Sequence, residues 1–132
     1  DSMPRHVLCR IRELLAGVEQ PKVAIFGLTY KPNVDDTRES PLLTLMELLA
    51  QDGFAVTAHD PHAAEWKGRD LLEIAAGADL LLLGVHHREY RDLDWPRLAQ
   101  IMHQPLLLDT RNFWERDAVE QAGFAYHLLG EK

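Results

Sequence analysis

Val23-Ala24-Ile25-Phe26-Gly27-Leu28-Thr29-Tyr30-Lys31-Pro32-Asn33-Val34-Asp35-Asp36-Thr37-Arg38-Glu39-Ser40-Pro41 joins three segments with different physical roles. Val23 to Phe26 is an unbroken apolar run, which suits a strand buried on both faces of a parallel sheet. Gly27 to Thr37 is a polar loop with one lysine, two adjacent aspartates and the turn-forming pair Pro32-Asn33. Ser40-Pro41 opens a helix: the serine hydroxyl can accept from the free N–H groups of the first turn, and proline lacks the N–H that would go unpaired there. Strand, loop and helix N-terminus meet at the carboxyl edge of a sheet, where open α/β folds bind their ligands.

Upstream, Val7, Leu8, Ile11, Leu14, Leu15 and Val18 recur every three or four residues and predict an amphipathic helix, with Ser2-Met3-Pro4 as its capped start. Such a stripe either folds back on the sheet or drives self-association. Downstream, the pattern predicts a helix from Ser40 to Gln51 stopped by Asp52-Gly53, a strand over 55–59, and a weak helix over 71–76. A strand over 80–85, a helix from Asp94 to His103, a strand over 106–109, a helix over 114–121 and a strand over 125–129 follow. With the first strand at 22–27 this makes five strands alternating with helices. The fold class is α/β: a doubly wound, Rossmann-like parallel sheet with helices on both faces, and right-handed crossovers favour the order 2-1-3-4-5.

With 132 residues, 46% hydrophobic and 27% charged, the chain reads as one globular domain able to bury a sizeable core. The formal net charge of -7 argues against nucleic acid or an anionic membrane as partner. No apolar run approaches the roughly 20 residues that span a bilayer, and no basic-then-apolar leader stands among these residues. A lone cysteine, Cys9, fits a reducing compartment, so the expected location is the cytoplasm. A small anionic ligand stays open, because a few cations and N–H groups suffice for a diphosphate.

Gly27-Leu28-Thr29-Tyr30-Lys31-Pro32-Asn33, followed by Asp35-Asp36-Thr37-Arg38-Glu39-Ser40-Pro41, resembles the start of the C-terminal domain of the UDP-glucose/GDP-mannose dehydrogenase family. Asp109-Thr110-Arg111-Asn112 resembles a second segment of that family. The resemblance implies a C-terminal, UDP-sugar-binding domain over 19–132, with residues 1–18 as the stub of an inter-domain linker helix. It implies that the pair Tyr30-Lys31 contacts the nucleotide sugar and that Arg111 reaches into the same site. The parent enzyme would oxidise a sugar C6 alcohol to a carboxylate with NAD through a cysteine thiohemiacetal, and UDP-N-acetylhexosamine is one candidate substrate. NAD would be held by a missing N-terminal domain and the cysteine by a missing central region; the parent is expected to be a homo-oligomer in polysaccharide biosynthesis. This chain alone is therefore expected to be inactive, with no catalytic residue of its own.

The residues carry alternatives of their own. Lys31 can reach a phosphate or sugar oxygen, or be a solvated lysine. Arg111 can bind a phosphate bidentately, or sit on the surface against Asp109. Arg38 can pair with Asp35 or Asp36, or face another domain; a loop-structural role is expected for these three, as for Ser40. Cys9 has no histidine or second cysteine at ligand spacing. His59, His62, His86 and His87 tempt a metal reading, but no further ligand completes a set, so none is expected. Asp60 ends the second strand, where a dinucleotide fold places its ribose ligand; yet the first turn reads Gly27-Leu28-Thr29-Tyr30-Lys31-Pro32 where Gly-x-Gly-x-x-Gly is required. NAD binding by this domain is not expected. The competing class is a non-enzymatic, flavodoxin-like binding or signalling module, although a phosphoacceptor aspartate is absent from Gly84-Val85-His86.

Overall fold

The computed structural model describes residues 3–130. The expected Ser2 cap lies outside them. Five strands, β1 (Lys22–Phe26), β2 (Ala55–His59), β3 (Leu80–Leu83), β4 (Leu106–Asp109) and β5 (Ala125–Leu128), form one parallel sheet in the order β2-β1-β3-β4-β5. This is the expected order. The helices are α1 (Met3–Leu14), α2 (Pro41–Gln51), α3 (Leu71–Ala75), α4 (Trp95–Ile101) and α5 (Arg116–Gln121), with a 3₁₀ turn at Arg88–Tyr90.

Each central strand is apolar on both faces because each face has its own core. Val23, Ile25, Leu80, Leu82 and Leu108 pack with Leu42, Leu45 and Leu49 of α2 and with α1. Ala24, Phe26, Leu81, Leu83 and Leu107 pack on the opposite side with Ala75, Leu98 and Val119 of α3, α4 and α5. The N-terminal stripe folds back on the sheet: Val7 and Ile11 are fully buried, and Arg12 holds the C-cap of α2 through Asp52 at 2.7 and 2.9 Å. The helix stops at Leu14, short of Val18, because the chain reverses at Gly17 with φ +85°; Val18 still packs against the core.

Two glycines decide how the carboxyl edge closes. Gly27 leaves β1 at φ +98°, and a Cβ there would stand 2.6 to 2.7 Å from the backbone of Val85. A Cβ on Gly84 would meet Leu42 of α2 at 2.6 Å and the Gly27 carbonyl at 2.7 Å. The ends of β1 and β3 therefore touch each other and the first turn of α2 with room for hydrogen only.

Two substitutions test this packing. Ile11→Ala should destabilise the domain by about 2–5 kcal/mol in urea titrations if α1 is core, whereas a surface helix would lose under about 0.5. Gly27→Ala should cost more than about 1–2 kcal/mol, since left-handed strain and a backbone clash add. A variant as stable as the parent would refute the close approach.

Candidate ligand site at the carboxyl edge of the sheet

The loop after β1 crosses the carboxyl edge and is tied down from within. Tyr30 N–H donates to the Asp36 carbonyl at 2.7 Å, and the Thr29 hydroxyl donates to the Lys31 carbonyl at 2.7 Å. Asn33 takes a left-handed conformation, φ +60°, which asparagine tolerates well. Its N–H donates to His87 Nδ1 at 2.8 Å, and its side-chain oxygen accepts from Arg88 N–H at 2.8 Å. Ser40 is the N-cap of α2, accepting from Leu42 N–H at 3.2 Å, with Pro41 as first helical residue.

Beneath this loop lies the fully buried Asp60 carboxylate. Leu28 N–H (2.6 Å) and Thr29 N–H (3.1 Å) donate to its Oδ2, and His62 N–H (2.8 Å) and Ala63 N–H (3.1 Å) to its Oδ1. His87 Nε2 donates to Oδ2 at 2.9 Å. Burial alone would raise the Asp60 pKa, but the hydrogen bonds from His87, Leu28 and His62 outweigh it and hold the carboxyl far below its ordinary value. The Leu28 and Thr29 amides belong to the turn after β1, which a dinucleotide fold leaves free for the approach of a pyrophosphate. Here Asp60 has taken them.

The loop after β4 is built the same way. Asp109, also fully buried, accepts from the N–H groups of Arg111, Phe113 and Trp114 at 2.9 Å each and from the Tyr126 hydroxyl at 2.7 Å. This capture of Phe113 and Trp114 keeps them out of the helix, so α5 begins at Arg116, two residues later than the pattern predicts. Arg111 is exposed; its Nε donates to the Gly84 carbonyl at 3.2 Å.

The candidate residues separate into three groups. Arg38 pairs with Asp36, Nε to Oδ1 at 3.0 Å and Nη2 to Oδ2 at 3.1 Å, and this pair lines a concavity of about 360 Å³ with Tyr30 and Glu39. Asp35 is exposed and takes no part in that pair. Lys31 is exposed, and its charge adds to the attraction that Arg38 exerts on the Asp36 carboxylate. Neither Lys31 nor Arg111 lines the concavity under Tyr30; Arg111 stands instead over the end of β3. Spacing alone did not reveal the joint role of Asp60, His87 and Asn33. The one signal was an acidic residue ending a strand before proline, a pattern that favours side-chain capture of nearby N–H groups.

Three of the four candidate histidines have hydrogen-bond partners, whereas His86 Nδ1 is buried without one among the described residues. His62 Nε2 meets Glu89 at 3.0 Å, His87 meets Asp60 and Asn33, and His59 Nδ1 meets the Tyr90 hydroxyl at 2.9 Å. Among the described residues no three potential ligands gather around a common point. Burial lowers His59 below its ordinary value, and burial together with Arg111 lowers His86.

These features define a parallel α/β domain whose carboxyl edge exposes Tyr30, Lys31 and Arg111 and whose first turn spends its Leu28 and Thr29 amides on Asp60. Residues 24–116 match the family described as the UDP-glucose/GDP-mannose dehydrogenase family, UDP binding domain, and the chain belongs to that family. It is 40% identical over 118 residues to UDP-glucose 6-dehydrogenase of Rhizobium meliloti, covering 83% of this chain and 27% of that protein. It is 37% identical over 136 residues to UDP-N-acetyl-D-mannosamine dehydrogenase of Methanocaldococcus jannaschii, covering 99% and 32%. Among solved structures, UDP-D-ManNAc dehydrogenase from Pyrococcus horikoshii superposes with a TM-score of 0.85 at 27% identity, over 98% of this chain and 31% of that one. The chain spans about a third or less of these relatives. The family is in general NAD-dependent, and no helix among the described residues is long and apolar enough to cross a membrane.

The buried histidine gives a pH test. An unfolded His59 binds a proton near its ordinary value of 6.5, whereas the folded one resists it, so the unfolded state holds more protons below that value. Stability should therefore fall as pH drops from about 7.5 to about 5.5, and His59→Gln should flatten the slope. A thermal midpoint that does not move over this range, or moves equally in the variant, would contradict the assignment.

Proposed function

We propose that this chain is the nucleotide-sugar-binding part of an NAD-dependent nucleotide-sugar 6-dehydrogenase, with a UDP-sugar held at the carboxyl edge by Tyr30, Lys31 and Arg111. One observation carries the reading. The two acids ending β2 and β4 are consumed by internal donors, while the Lys31 and Arg111 side chains stand exposed. Exposed cations flanked by the engaged Asp60 and Asp109 carboxylates are available to an anionic ligand. The closed first turn makes a nucleoside diphosphate carried by side chains a better fit than a dinucleotide carried by backbone amides. The activities named for the relatives support UDP-sugar substrates; in this reading NAD and the catalytic cysteine come from regions outside this chain. The parent is proposed to be cytoplasmic and homo-oligomeric, with residues 1–18 leading toward another domain, and the chain by itself makes no NADH.

In the parent enzyme, Lys31→Ala and Arg111→Ala should each weaken substrate affinity by roughly ten- to a hundredfold, the worth of a charged hydrogen bond of about 1.5–3 kcal/mol. Both side chains are exposed, so unfolding midpoints should barely move. Unchanged affinity in both variants would place the site elsewhere. A loss that merely follows a collapse in melting temperature would make the two residues structural.

A further inference from the structure

The Tyr30-Lys31-Pro32 arch stands over a single imidazole. Two residues before Lys31, the Thr29 hydroxyl lies 3.2 Å from His87 Nε2 and donates to the Lys31 carbonyl. Two residues after it, Asn33 N–H donates to His87 Nδ1. Because Nδ1 accepts there, the ring proton sits on Nε2 and is aimed at Asp60. Asp60 in turn holds the Leu28 and Thr29 amides. Both feet of the arch thus stand on the same buried pair, while the Tyr30 and Lys31 side chains face solvent.

A buried acid–histidine pair is a poor way to gain stability, because desolvation offsets much of the attraction. What it supplies is direction: two ring nitrogens in fixed opposition, one donor and one acceptor, each matched to one partner. An exposed lysine loses less freedom on binding when its backbone is already fixed.

We propose that Asp60 and His87 are positioning residues for Lys31, a clamp that presents its ammonium to the diphosphate of the ligand without touching the ligand. This rests on the functional reading above, in which Lys31 is a ligand contact.

Two variants divide the clamp. His87→Gln keeps an N–H that can reach Asp60 but places no acceptor at the Nδ1 position that Asn33 N–H meets. His87→Asn keeps an acceptor near the Nδ1 position but falls short of Asp60. Amide hydrogen exchange on this chain, without ligand, should accelerate at Asn33 in His87→Gln and at Leu28 and Thr29 in His87→Asn, by roughly tenfold, as for loss of one net hydrogen bond. UDP is the binding probe. Its dissociation constant should rise by roughly tenfold in either variant, yet by less than about twofold when the variant is added to Lys31→Ala, since coupled residues do not act additively. Melting temperature separates this from unfolding.

Exchange at the parent's rate in both variants would overturn the clamp whatever the ligand does. Faster exchange with undiminished UDP affinity, or losses that add fully to that of Lys31→Ala, would show that the pair does not act through Lys31. No UDP binding by the unsubstituted chain would sink the functional reading, and the positioning role with it. The exchange result would then stand alone as a statement about the loop.

Discussion

The Asp60 carboxylate is the joint on which the ligand edge depends. It ends β2, takes two amides from the loop after β1, two from its own loop and the imidazole proton from the loop after β3. Three loops that share no secondary structure are thereby fixed relative to one another. An unpaired buried carboxylate would neutralise itself; this one stays ionised because every oxygen is satisfied. Asp109 repeats the device at β4, and between the two anchors the exposed cations are carried on loops with little freedom.

The same joint sets the first turn apart from that of a dinucleotide fold. Dinucleotide folds leave the first-turn amides open and close the turn with glycines so that a pyrophosphate can approach the backbone. This domain keeps the sheet order of such folds but fills the amides with its own carboxylate and packs Gly27 against Val85. Glycine is kept there for close strand packing. In the proposed reading anion recognition passes to the side chains of Tyr30, Lys31 and Arg111.

Much of the architecture is readable from the sequence because it rests on local rules. A four-residue apolar run such as Leu80-Leu81-Leu82-Leu83, bounded by Gly77 and Gly84, suits a strand buried on both faces, and Ser40-Pro41 suits a helix start. Boundaries slipped where a tertiary bond competed with the helix, as at Asp109 and Trp114, or where Gly17 turned the chain. In the site, the Asp36–Arg38 pair was legible as one option from nearness in sequence. The Asp60–His87 pair was not, because its partners are 27 residues apart and meet only when β1, β2 and β3 lie side by side. Spacing leaves the histidines short of a metal set, but it hides that His87 is already engaged by Asp60 and Asn33.

The most direct test of the account is a titration of the isotopically labelled chain with UDP and, separately, with NAD, followed by amide chemical shifts. The account predicts that UDP moves the amides of residues 30–33 and 111–112 while NAD leaves the Leu28 and Thr29 amides, already bound to Asp60, where they were. Saturable shifts at Leu28 and Thr29 with NAD, and none around Lys31 and Arg111 with UDP, would contradict it.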